Sequence, residues 1–127
     1  MQDRYRFRFW NKKTNKWFYF AFETFLTYEK EIWEALTNGE KIYQCPGKKD
    51  KNNNLIFEGD ILKETYFSED TDSLTSCLYK VEFDKEVSAF CFTELDGGYK
   101  NYLCNFDYKP EDYEIIGSTY TMPENIK

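Results

Sequence analysis

The sequence predicts one mainly β domain with an N-terminal hairpin and one short α-helix, and three observations carry that expectation. The 12 Phe and 11 Tyr together outnumber every aliphatic type, a composition suited to the pleated surface of a sheet. Apolar residues alternate with polar ones in several short runs bounded by Gly, Pro, Asn and Asp, the pattern of half-buried strands. A chain of 127 residues has room for one hydrophobic core and no length for a second domain.

Taken in order, Tyr5, Phe7 and Phe9 alternate with Arg4, Arg6, Arg8 and Trp10, so a first strand puts rings on one face and guanidinium groups on the other. Residues 11–16, Asn-Lys-Lys-Thr-Asn-Lys, are a turn, and residues 17–22 return as a second strand, which makes a hairpin with a basic rim. From Tyr28 to Leu36 the period changes to that of a helix: Tyr28, Ile32 and Leu36 are spaced by four, with Trp33 and Ala35 beside them. Thr27 is its expected N-cap and Asn38-Gly39 its left-handed stop.

Beyond the helix, residues 41–45 form a short strand stopped by Pro46-Gly47, and short strands are expected at 55–57 and 61–63 around Glu58-Gly59-Asp60. Those three residues read as turn structure, because glycine permits positive φ and the carboxylate accepts backbone N–H bonds. Residues 67–75, with Glu69, Asp70 and Asp72, read as a solvated loop; counted from Asp70, a calcium loop needs Gly where Thr75 stands and Glu where Val81 stands. A meander follows at 77–83, 87–94 and 99–106, and after Pro110 a last strand at 113–120 ends at Met122-Pro123.

Four cysteines, Cys45, Cys77, Cys91 and Cys104, lack C-x-x-C spacing and there is no histidine, so free thiols are expected and no metal or other cofactor. No apolar run approaches the roughly 20 residues that span a bilayer, and residues 1–6 have no secretory signature, so a cytoplasmic protein is expected. Charge is two-sided: residues 1–53 hold 11 basic and 7 acidic groups, net +4, and residues 54–127 hold 6 and 16, net −10, which together make the −6 of the chain. The halves are expected to pair across one surface.

Three blocks resemble the signatures of the YopX-like proteins of phages and prophages. They are Arg6-Phe7-Arg8-Phe9-Trp10-Asn11-Lys12-Lys13-Thr14-Asn15-Lys16, then residues 44–61 (QCPGKKDKNNNLIFEGDI), then residues 114–124 (EIIGSTYTMPE). The central block departs from the family form at Cys45, Pro46, Lys48 and Asn53. Together the blocks cover residues 1–127 as one YopX-like domain. The resemblance implies a small SH3-like rolled barrel, a phage or prophage origin and the host-cell cytoplasm, and it brings no catalytic residues.

Catalysis has little to draw on, since the usual base near neutral pH is missing and no nucleophile elbow, Walker A loop or dinucleotide fingerprint occurs. The chain is expected not to be an enzyme. Its ring excess favours a protein partner or self-association. The alternative is nucleic acid, held by a basic N-terminal hairpin with indoles for base stacking. In either case the expected binding face is Arg4, Arg6, Arg8, Trp10, Lys12 and Trp17.

Overall fold

The computed structural model describes residues 6–21 and 30–121, and its strands form two antiparallel sheets. β1 (Arg6–Asn11) and β2 (Lys16–Ala21) are the predicted hairpin, with Phe7 opposite Phe20, Phe9 opposite Phe18 and Trp10 opposite Trp17. Asn15 adopts φ 54° and donates its N–H to the Asn11 carbonyl at 2.8 Å, which closes the turn with a residue that tolerates the left-handed region. β3 (Tyr43–Gln44) adds to the other edge of β1, giving the order β2-β1-β3.

One face of this small sheet is covered by α1 (Lys30–Thr37), which buries Ile32 and Ala35 against Phe9 and Phe20. Trp33 and Leu36, expected on the covered face, are each more than a third exposed, because the narrow sheet covers only the Ile32–Ala35 strip. Glu40 N–H bonds the Ala35 carbonyl and Gly39 N–H the Leu36 carbonyl, with Gly39 at φ 75°, the paired bonds of a Schellman stop. The expected N-cap Thr27 and the first helical residues Tyr28 and Glu29 lie outside the described residues, as do Met122 and Pro123.

The second sheet is a meander of β4 (Asp60–Ser68), β5 (Ser73–Asp84), β6 (Ala89–Glu94) and β7 (Lys100–Tyr102), with β8 (Tyr113–Ser118) returning to the free edge of β4. Its core is Ile56, Leu62, Tyr79, Val81, Phe92 and Tyr113. Among the described residues the order β7-β6-β5-β4-β8 leaves two edges, so no closed barrel forms.

Three expectations are corrected. The predicted loop at 67–75 is mostly ladder: β4 and β5 pair from Ile61–Lys80 out to Ser68–Ser73, and only residues 69–72 turn. The acidic residues that suggested a loop sit at that tip, while Thr65, Tyr66, Phe67 and Thr75 are good strand formers. Residues 55–57 make only a single bridge, Lys49 to Leu55, because the buried Asp50 carboxylate gathers the N–H groups of Asn52, Asn54 and Ile115, each at 3.0 Å. β8 ends at Ser118, whose hydroxyl and N–H are both engaged by Thr121 at 3.0 Å. All four cysteines are free; Cys45 and Cys91 are buried, Cys77 is half-buried and Cys104 exposed. Among the described residues no helix is long and apolar enough to cross a membrane.

Candidate functional site

Strand alternation places Arg8 on the face of β1 opposite Phe7 and Phe9, and that face is covered as well. The Arg8 guanidinium lies 3.7 Å from the Trp17 ring centroid and 5.0 Å from that of Phe57. It donates to Asp60 Oδ1 at 2.7 Å and to the Glu58 carbonyl at 3.1 Å. Its side chain is 4 % exposed and that of Asp60 3 %. The second Asp60 oxygen accepts the Phe57 N–H at 2.8 Å. Burial pushes the Asp60 carboxyl above its ordinary pKa against the opposing pull of Arg8 and the Phe57 N–H, as desolvation disfavours the charged form.

Glu58-Gly59-Asp60 is thus the turn that receives Arg8. Gly59 stands at φ 91°, and a Cβ there would meet the Tyr43 ring at 3.2 Å, so both the backbone angle and the close packing call for glycine. Lys41 reaches Glu58 at 2.9 Å and Lys51 reaches Glu114 at 3.7 Å, so these basic groups of the first half pair with acids of the second.

The strip of guanidinium groups expected on β1 is therefore broken. Arg8 is enclosed and paired, Arg6 is exposed, and Arg4 lies outside the described residues. The indoles have partners too. Trp10 stacks on Tyr120 at 4.7 Å with an interplanar angle of 3°, and Trp17 donates its N–H to Ser118 Oγ at 3.3 Å. Together with Tyr43, which meets Tyr120 hydroxyl to hydroxyl at 3.2 Å, they clamp the turn after β8 onto the hairpin. Lys12 is exposed, with its amine 3.4 Å from Glu40.

The structure also presents an apolar surface away from the hairpin. β8 pairs with β4 only as far as Glu64, and β6 pairs with β5 only from Tyr79. Residues 65–76 therefore project as a two-stranded arm. Tyr66, Phe67 and Leu74 on it are 42, 57 and 72 % exposed. Phe67 and Leu74 are directly opposite in the ladder and so share a face. The sequence signal for this arm was two runs of strand formers, Thr65-Tyr66-Phe67-Ser68 and Ser73-Leu74-Thr75-Ser76, around the four-residue acidic turn.

A family model described as YopX protein matches residues 6–127. No curated protein matches the chain.

Proposed function

We propose that this chain, which belongs to the YopX family, is a non-catalytic protein-binding module that acts on a host or phage component through its β4–β5 arm. The observation that carries this reading is the exposed Phe67–Leu74 pair on a ribbon outside the body of the sheet. A lone two-stranded ribbon is marginal in water, and covering two such side chains contributes roughly 1.5–3 kcal/mol each. The absence of histidine from the sequence supports a non-catalytic role. Phage origin and the host cytoplasm enter this reading through the family resemblance.

The test is affinity capture from host lysate with and without nuclease, using the wild-type chain and a Phe67→Ser/Leu74→Ser variant. A protein retained through nuclease by the wild type and lost by the variant supports the arm. Nucleic acid that elutes as salt rises, with equal capture by the variant, refutes it and moves binding to Arg6, Lys12, Lys13 and Lys16 of the hairpin.

A further inference from the structure

Where the open end of the hairpin meets the second sheet, a cleft of about 510 Å³ runs between Arg6, Arg8 and Tyr19 on one side and Asn53, Asn54 and Phe57 on the other. Alternation puts Arg6 on the same face of β1 as Arg8, and Tyr19 stands opposite Arg8 in the ladder. Asp60 is the one acid in the described lining, so the two arginines leave the cleft a net charge of +1 in a chain of net −6. Three other clefts hold equal numbers of basic and acidic residues in their described linings. In two of them a lysine is already paired, Lys12 with Glu40 and Lys41 with Glu58.

The two arginines differ in what they can still do. Arg8 is enclosed and held by Asp60 and the Glu58 carbonyl, with only its Nε–H lacking an acceptor among the described residues. Arg6 is exposed, and its guanidinium has no hydrogen bond or ion pair among the described residues. The same is true of the Asn53 and Asn54 amides and of the Tyr19 hydroxyl. Four side chains with unused donors therefore border one cleft. Its apolar element is the Tyr19 ring, 56 % exposed and braced edge-on by Phe57 at 5.4 Å.

We propose that this cleft binds a small aromatic anion, with its oxyanion group on the Arg6 guanidinium and its ring on Tyr19. A guanidinium pairs a carboxylate through two parallel N–H bonds, a neighbouring amide donates to the oxygens that remain, and a flat ring covers the phenol face. An apolar wall with a few convergent polar groups, in a space of this size, is the general form of a small-molecule site. None of the lining residues belongs to the 65–76 arm, so the site is independent of the one proposed for a protein partner.

The test is isothermal titration calorimetry of the full chain with 2-naphthoate, and with naphthalene-2-carboxamide as its uncharged counterpart. The expected result is one naphthoate per chain with a Kd below about 1 mM, and binding of the carboxamide at least about tenfold weaker, the size of a lost charge-assisted bond. Arg6→Gln and Tyr19→Ser should each weaken naphthoate about tenfold, whereas Arg6→Lys, which keeps the charge, should retain part of the affinity. Phe67→Ser/Leu74→Ser should bind as the wild type does. No saturable uptake of naphthoate overturns the site, as does equal affinity for the carboxamide or for Arg6→Gln. Loss of binding in Phe67→Ser/Leu74→Ser places the ring on the arm and also overturns it.

Discussion

Removing one partner of the Arg8–Asp60 pair should be the most damaging single polar change in this protein, and the two partners should not be equivalent. Both side chains are at least 96 % enclosed and their atoms are 2.7 Å apart. Asp60→Ala leaves a guanidinium buried without its counter-charge, and arginine cannot discard its proton. The expected loss is about 3–5 kcal/mol, against a total stability of about 5–15 kcal/mol for a domain. Arg8→Met leaves a buried carboxylate, which can neutralise itself by taking a proton. Burial already raises the Asp60 pKa, and Arg8 is the largest influence holding it down, so this variant raises it further. A carboxyl whose folded pKa is raised contributes stability that is present at low pH and lost as pH rises through that pKa. Arg8→Met should therefore lie closer to wild type at pH 5 than at pH 7, while Asp60→Ala should show no such recovery. Urea unfolding followed by Trp fluorescence at both pH values checks this, with Trp17 reporting from beside Arg8. An Asp60→Ala loss below about 1 kcal/mol with an unchanged m-value, typical of exposed pairs, would refute the reasoning.

Other consequences are as direct. Gly59→Ala should cost at least about 1 kcal/mol in urea unfolding, because alanine disfavours φ 91° and its Cβ would meet the Tyr43 ring at 3.2 Å; a neutral result would mean that the turn and Tyr43 shift freely. Asp84 accepts the Tyr102 hydroxyl at 2.6 Å and the Lys100 amine at 3.3 Å, and the Tyr102 bond leads in holding its carboxyl below the ordinary carboxylate range. Its contribution is therefore present above the ordinary carboxylate range and lost as pH falls through the depressed value. Asp84→Asn should melt below wild type at pH 7 and converge with it in strong acid. A thiol reagent should label exposed Cys104 at once and buried Cys45 and Cys91 only on unfolding; burial also pushes the Cys91 thiol up. Prompt modification of more than two thiols, counted by mass, would contradict the packing.

How much of this was legible depends on whether the deciding information was local. The hairpin and its ring face follow from a period of two that any strand obeys, and Gly39 and Gly59 both fall where the sequence asks for a positive φ. The boundaries of β4 and β5 were lost because acidic residues at a tip and acidic residues in a loop give the same composition. Only the cross-strand match of Phe67 with Leu74 separates the two cases, and that match becomes visible once a turn of four residues is assumed.

The fate of Arg8 was lost for a different reason. Alternation assigns a side chain to a face, but it does not say whether the face meets water, and a solvent-facing arginine strip was the natural reading of Arg6 and Arg8. Here β1 is the middle strand of a sheet covered on one face by α1 and met on the other by the 57–60 turn. The covering residues lie some 50 positions away in sequence. The same kind of contact joins the oppositely charged halves, with Arg8 on Asp60, Lys41 on Glu58 and Lys51 on Glu114. The same burial bears on the surface proposed above for binding. Trp10, Trp17 and Tyr120 are engaged in closing the hairpin onto the strand ends, whereas Phe67 and Leu74 are opposite each other on the ribbon and more than half exposed. That contrast is why the proposed partner surface is drawn on Phe67 and Leu74 and not on the indoles.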